Sequence, residues 1–408
     1  MFWLRLLYVC NGLAIGLLFS FVSVLLQSRG FEPALVGLTT GLGSLGYMVA
    51  LPAWGHVGDI VSGPRRALQM ACIPAAVFGL GLAAPIPVPA IIFCHVVLCA
   101  GGAPTMALTD AMAMPILRDP AHDYPRLRLL TSLGGGVGAI GGGLIYAVTG
   151  YLVAPVLFVF VIALTFLSAQ FLPLGRDSER HRKARGLREG KPHQPPERGR
   201  FGSAGEAVSG RPRLVAALVS VLLIFFSAMA AGTYLGIRIT DLGGSATDIG
   251  LANGIGSFTE AIGLLLAGWL ASRLGLRSVL LVSAAGFSAC VASWAVLEST
   301  ALIIVTRAFS GLLFAGVFMA FVLTVSRQLP YHLQSTGQTL FQAVGFGLAA
   351  VLANLLGGIL YASLGSAGLF GCGAMSAVAG ALIGYLAIPA TAQGGAPVVP
   401  AEATPAPS

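Results

Sequence analysis

Residues 30–55 read GFEPALVGLTTGLGSLGYMVALPAWG, and residues 243–268 read GGSATDIGLANGIGSFTEAIGLLLAG. The two stretches lie on each other without a gap at a constant spacing of 213, so that Gly30, Gly37, Leu38, Gly41, Gly43, Ser44 and Gly55 fall on Gly243, Gly250, Leu251, Gly254, Gly256, Ser257 and Gly268. Both then run into a short basic turn. One half of the chain therefore copies the other. In a long and very apolar chain, a parallel two-half repeat is the construction expected of a membrane carrier whose solute site lies between the halves.

Composition supports that reading. Of the 408 residues 56% are hydrophobic and only 9% charged, against roughly 25% charged in a soluble domain, and the mean hydropathy is +0.87. Apolar runs of about 20 residues, the length that crosses the hydrocarbon, recur from end to end. They lie near Trp3 to Gln27, Ala34 to Val57, Ala67 to Ala84, Pro89 to Met112, Leu127 to Val148 and Leu152 to Leu172, and again near Leu214 to Ile237, Ala246 to Ala271, Val279 to Leu297, Ala301 to Thr324, Gly337 to Leu360 and Ala367 to Ile388. The expected fold is an all-α membrane protein of twelve transmembrane helices in two six-helix pseudo-repeats. The first run is too long for a signal peptide, lacks a small-residue cleavage site and has an equivalent opening the second half.

The charges set an orientation. Arg65, Arg66, Arg118, Arg126, Arg128, Arg273, Arg277 and Arg327 all fall in even-numbered connections, whereas the odd-numbered ones hold only Arg29 and Arg238. The positive-inside rule then places both termini in the cytoplasm, with the plasma (inner) membrane as the location. The net charge of +8 reads as a topology signal with anionic headgroups as its neighbour, not as a nucleic-acid footprint. Residues 1–174 are expected to form the first half and 213–388 the second. Between them 175–212 make a basic cytoplasmic linker rich in Arg, Lys, Pro and Gly, and the Ala- and Pro-rich stretch 389–408 is a disordered cytoplasmic tail. The six cysteines fall inside spans without metal-ligand spacing, so neither a disulfide framework nor a metal site is expected. No HExxH, GxSxG or Walker loop is present, which argues against an enzyme and against any cofactor.

The two basic turns carry a resemblance. Gly55-His-Val-Gly-Asp59-Ile-Val-Ser-Gly63-Pro-Arg65-Arg66 and Gly268-Trp-Leu-Ala-Ser272-Arg273-Leu-Gly275-Leu-Arg277 resemble the G-x-L-A-D-R-x-G-R-R turn that joins helices 2 and 3, and helices 8 and 9, in the major facilitator superfamily. The first copy has one extra residue between Asp59 and Gly63, and the second has Ser272 in place of the Asp. In that superfamily the turn is implicated in latching the outward-facing state. The resemblance thus implies a latch role for Gly55, Asp59, Gly63, Arg65, Arg66, Gly268, Arg273, Gly275 and Arg277, the alternative being a basic turn that only fixes topology.

A narrower resemblance lies between helices 4 and 5. Pro104-Thr-Met-Ala-Leu-Thr-Asp110-Ala, with Asp123-Tyr124-Pro-Arg126-Leu-Arg128-Leu-Leu-Thr131-Ser132-Leu-Gly134, is similar to the pattern of the branch that holds nucleoside:proton symporters, lactose-permease-like symporters and phenylpropionate-permease-like proteins. Leu130 and Thr131 depart from it. In lactose-permease-like members a helix 4 carboxylate and the second arginine of R-x-R form a substrate-contacting pair, which the resemblance places on Asp110 and Arg128. A carboxylate in lipid needs a partner, and the planar guanidinium suits hydroxyls and carboxylates. Both residues also stand about a turn from the cytoplasmic surface, where a wet interfacial pair is the other reading.

Glu260 is set against Tyr47 by the repeat, so the second half has an ionisable acid where the first has a phenol. An acid within a helical bundle is suited to proton or substrate binding, or else is a structural residue tied by hydrogen bonds. Arg307 matches His95 at a spacing of 212 and can neutralise Glu260 or bind an anion. Ser310 and Leu313 stand where lactose-permease-like proteins carry their proton-handling His and Glu. Gly134, Gly138 and Gly142 recur at four-residue spacing for close helix packing. Asn11, Tyr234 and Arg307 are the polar candidates expected to line the cavity on helices 1, 7 and 10, with His95 on helix 4 as a further substrate-binding candidate and Glu260 with Asp110 as proton-coupling ones. The expected function is proton-coupled uptake of a nucleoside, oligosaccharide or aromatic acid by a monomer, with export of a drug or secondary metabolite as the alternative and a non-transporting sensor as a third reading.

Overall fold

The computed structural model describes residues 1–117, 120–172, 208–330 and 333–388. Arg118, most of the basic linker (175–207) and the tail (389–408) lie outside the described residues. With lipid on its outside, a chain must satisfy its backbone polar groups internally, and helices do so within each segment. The helices are α1 (Phe2–Ser28), α2 (Pro33–Val61), α3 (Gly63–Gly81), α4 (Val88–Ala113), α5 (Pro120–Thr149), α6 (Tyr151–Gln170), α7 (Pro212–Asp241), α8 (Ala246–Leu274), α9 (Leu276–Val296) and α10 (Thr300–Gln328). A last continuous run, Thr336–Ala387, bends at Gly365, whose φ of 65° and ψ of −167° break the helical path and divide it into α11 (334–364) and α12 (366–387). Twelve helices thus stand among the described residues, at the positions the apolar runs indicate. α3 is the least apolar of them, since Arg65 and Arg66 occupy its first turn.

The repeat in the sequence is a repeat in the backbone. Gly30 and Gly243 both turn the chain with positive φ (83° and 79°), as do Gly63 and Gly275 (79° and 80°) and Gly150 and Gly365 (79° and 65°), a conformation open to glycine because it has no Cβ. Aromatic pairs repeat as well. Phe21 meets Tyr146 edge-on at 4.9 Å, and Tyr234 stacks on Tyr361 at 5.7 Å in the second half.

The extra residue after Asp59 has a structural destination. Gly55 and Gly268 are 213 apart, but Gly63 and Gly275 are 212 apart. Between them α2 becomes a π-helix over Val57–Val61, while α8 stays α-helical to Leu274. A π turn holds one more residue than an α turn, so the insertion is absorbed inside the helix and the glycine turn beyond it is left unchanged.

Arginines hold helix ends. Arg65 donates to the carbonyl oxygen of Leu172 at the end of α6, and Arg277 Nε donates to that of Tyr385 at 2.8 Å near the end of α12. At the opposite end of the bundle, Arg29 donates to Leu82 and Ala84 at 3.1 and 2.8 Å just past α3, and Arg238 donates to Leu297 at 2.9 Å just past α9. A cation at the last carbonyls of a helix satisfies acceptors that have no intrahelical partner and complements the helix dipole.

The two halves meet closely at the end away from the termini. A Cβ on Gly37 of α2 would lie 2.7 Å from Gly358 Cα of α11, and one on Gly143 of α5 would lie 2.9 Å from Gly250 Cα of α8. Backbone approaches of this kind are open only to the smallest residues. Asn354 Nδ2 donates to Ser44 Oγ at 3.0 Å and Asn253 Nδ2 to the carbonyl of Ser20 at 3.4 Å, both across the halves and toward the same end. Nearer the termini, nothing lies within 4 Å of where a Cβ would sit on Gly55 of α2 or Gly268 of α8. The main-chain approaches between the halves thus gather at the far end, and none of the described glycines makes one near the termini.

Candidate solute-binding site

Among the described residues, Asp110 is the best-connected acid of the first half. α4 is interrupted after Gly102 and resumes at Thr105, a break that Pro104 imposes because it has no N–H to give. The short second segment carries Asp110. Tyr8 of α1 donates its hydroxyl to Oδ1 at 2.7 Å, Tyr124 of α5 donates to Oδ2 at 3.1 Å, and Arg128 Nη1 lies 3.5 Å from Oδ2. The Asp110 and Arg128 side chains remain 23% and 45% exposed, so the pair is open to solvent-filled space and its guanidinium has donors to spare. Tyr47 of α2 lies within electrostatic reach of Arg128. Four helices of one half, α1, α2, α4 and α5, thus converge on a carboxylate, an arginine and a fringe of phenols.

The second half has the mirrored construction with different chemistry. A Cβ on Gly43 of α2 would meet the His95 ring at 2.7 Å, and one on Gly256 of α8 would meet the Arg307 guanidinium at 2.9 Å. Each glycine therefore makes room for the ring or guanidinium of the helix beside it, α4 in one half and α10 in the other. One turn beyond each glycine, on the same helical face, stand Tyr47 and Glu260. Glu260 feels the charge of Arg307, which also donates to Ser310 Oγ at 3.0 Å. Among the described residues the Glu260 carboxylate has no hydrogen bond and no ion pair within 4 Å. Glu260 and Arg307 are deep in the bundle yet only partly buried by their accessible surface, which means that the space they touch is internal.

The structure thus brings Asp110 to Arg128 and Glu260 to Arg307, as the sequence pattern suggests. The other candidates are placed differently. Asn11 is 6% exposed and its amide donates to Leu7 O at 3.0 Å and Thr109 Oγ1 at 3.1 Å, so it ties α1 to α4 behind the site. Tyr234 is fully buried and donates to the carbonyl of Asn354 at 2.8 Å. His95 is 2% exposed, with Nε2 3.5 Å from Cys99 Sγ and Nδ1 without a partner. In this conformation Asn11 and His95 pack within the first half, and the Tyr234 hydroxyl lies at the far-end contact between the halves, against Gly37 of α2.

The residues of the two basic turns divide as well. Arg65 and Arg277 hold helix ends, and Arg277 also stacks on Tyr385 at 4.1 Å. Arg273 lies over Trp269 at 4.8 Å, and Asp59 is exposed on the π-helical turn with no ion pair among the described residues. Arg65, Arg273 and Arg277 thus make their contacts within their own half, and among the described residues none of them bridges to the other.

Tyr8 is the member of the Asp110 cluster that sequence reasoning did not single out. Its signal was slight: a phenol inside an apolar span, whose hydroxyl needs a partner when buried. The six cysteines are free, and among the described residues no three His, Cys, Asp or Glu side chains cluster as a metal site.

Comparison with known proteins agrees with this architecture. A family model described as "MFS_1 like family" matches residues 1–372. The maltose permease of Geobacillus stearothermophilus is 28% identical over 365 residues, spanning 87% of this chain and 86% of the permease. The uncharacterized transporter YwbF of Bacillus subtilis (strain 168) is 22% identical over 331 residues, 80% of this chain and 77% of YwbF. Among solved structures, a point mutant of the nucleoside transporter NupG superposes with a TM-score of 0.78 at 14% identity, covering 95% of this chain and 99% of NupG. The D-xylose–proton symporter superposes with a TM-score of 0.67 at 14% identity, covering 95% and 96%. Fold, paired halves, family match and transporter relatives converge: the chain belongs to the MFS_1 like family of the major facilitator superfamily and is an integral membrane transporter, not an enzyme.

Proposed function

We propose that this transporter takes up a small polar or amphipathic solute together with protons, and that Glu260 carries the proton. The observation behind this reading is the Glu260 carboxylate itself: central in α8, next to internal space, near Arg307 and, among the described residues, free of any hydrogen bond that would fix it as a structural acid. A carboxyl so placed can take a proton from the cavity; once neutral it no longer attracts Arg307, whose guanidinium is then free to bind solute. Asp110 and Arg128 are the solute-contacting pair in this reading. The substrate classes in view are nucleosides, oligosaccharides and aromatic acids, the first two supported by the sugar and nucleoside transporters among the relatives and neighbours and the third by the motif resemblance alone. The cavity of this conformation opens to the cytoplasm, with both termini there and the inner membrane as the location. One chain supplies both halves, so a monomer suffices.

The test is the internal pH of proteoliposomes as uridine, maltose and 3-phenylpropionate are added one at a time. Acidification with one of them is the expected result. In the Glu260→Gln variant, solute accumulation against a gradient is lost while energy-independent exchange persists. Accumulation at the wild-type level in that variant removes Glu260 from the coupling.

A further inference from the structure

The half that carries Glu260 and Arg307 also holds a set of phenylalanines. On α10, Phe314 and Phe318 follow Arg307 by seven and eleven residues, which puts all three on one helical face. From α11, Phe346 approaches Phe318 with ring centroids 6.1 Å apart and stands edge-on to Phe225 of α7 at 5.1 Å. Phe341 closes the group from behind, 5.6 Å from both Phe225 and Phe318. Phe225 and Phe341 are fully buried, but Phe346 is 37% exposed.

The backbone under Phe346 is unusual. It belongs to a π-helical segment, Ala343–Leu348, set between α-helical stretches, and such segments frequently mark functional positions because they turn side chains out of the regular register. Gly345 on one side of it packs on Phe225, and Gly347 on the other side packs on Met48 of α2 in the opposite half. A ring that reaches α7 and α10 from this junction, and is still open, faces the space between the halves and not lipid. Met48, which meets Gly347 beside Phe346, is next in sequence to Tyr47, which lies within electrostatic reach of Arg128, so α2 links the phenylalanines to the Asp110–Arg128 pair.

We propose that Phe346, backed by Phe318 and Phe225, is a ring-binding shelf of the solute cavity, and that the solute pairs an aromatic ring with a hydroxylated or carboxylate end that reaches Asp110 and Arg128. This rests on the reading above that Asp110 and Arg128 contact solute. Aromatic rings favour edge-to-face and offset contacts with a second ring, and a pocket of apolar walls with few, well-placed polar groups fixes the orientation of such a molecule.

Uptake of uridine, 3-phenylpropionate and maltose into proteoliposomes tests it, with the wild type and the Phe346→Ala, Phe346→Leu and Phe346→Tyr variants. The expected result is that uridine or 3-phenylpropionate enters. Its KM rises about tenfold in Phe346→Ala with the maximal rate kept, stays high in Phe346→Leu and returns in Phe346→Tyr. Entry of maltose alone, unchanged by Phe346→Ala, overturns the shelf and leaves solute uptake standing. Full recovery in Phe346→Leu also overturns it, since apolar bulk would then suffice. Transport of none of the three overturns the shelf and the uptake reading together. The Tyr variant guards against misfolding, since it keeps the ring and the volume.

Discussion

Asp110 is held by three partners whose contributions differ in kind. The hydroxyls of Tyr8 and Tyr124 position it, whereas Arg128 is the partner with unused donors on the cavity side. Replacing Tyr8 by Phe removes one neutral-to-charged hydrogen bond, about 1.5–3 kcal/mol at most, and should raise KM for the transported solute by roughly tenfold with little change in maximal rate. Arg128→Lys keeps the charge and loses the planar fork, so a larger loss of affinity is expected. Both are read by solute titration of the purified variants, and wild-type affinity in Arg128→Lys would mark the pair as interfacial. Asp110 and Arg128 were legible in the sequence because they sit in a motif. Tyr8 was not, since an isolated tyrosine in an apolar helix does not reveal which neighbour its hydroxyl will meet. Asn11 misled for the same reason: an amide in a span can face a cavity or bridge to the next helix, and here the partner Thr109 is 98 residues away.

The helix ends and the basic turns were readable as elements, and their tertiary partners were not. The repeat located both turns and even the extra residue of the first. That Arg65 and Arg277 reach the last carbonyls of α6 and α12 depends on how α3 and α9 pack, which no local pattern states. Two roles for Arg277 can be separated. As a holder of a helix end it contributes about 0.3–1 kcal/mol, so Arg277→Ala should lower the Tm by a few degrees and leave the transport rate of the folded protein near that of the wild type. Slowed transport at unchanged Tm would favour a latch. α11 shows the limit of reading by period: nothing in its composition announces the π-helical turn that aims Phe346, because hydrophobic residues flank it in every register.

The twofold construction of the molecule was legible from residues 30–55 and 243–268 alone, together with the helix count and the membrane setting. Which end is closed was not. Two states that differ by a rigid rocking of the halves use the same helices and the same periodicity, so sequence cannot choose between them. The far-end closure rests on backbone approach at Gly37 and Gly250, where even a Cβ would collide with main-chain atoms of the other half. A bulky side chain such as Gly250→Trp should therefore hold the far end apart. A cysteine introduced at Ser44 in that background, now separated from Asn354, should react with a membrane-impermeant maleimide faster than in the otherwise wild-type chain. Equal labelling would show that the glycine contact does not control closure.

The π-helical turn over Val57–Val61 also speaks to history. The glycine turns on either side of it keep the same backbone conformation as their counterparts in the second half, yet the count of residues between them differs by one. A length change of a single codon in one copy, after the ancestral unit had doubled, accounts for this without any rearrangement of the neighbouring turns. Helices bounded by such fixed turns can gain or lose a residue in their interior and still deliver the chain to the same place. Two copies of one gene segment were thus free to diverge in length while remaining superposable as partners in a single molecule.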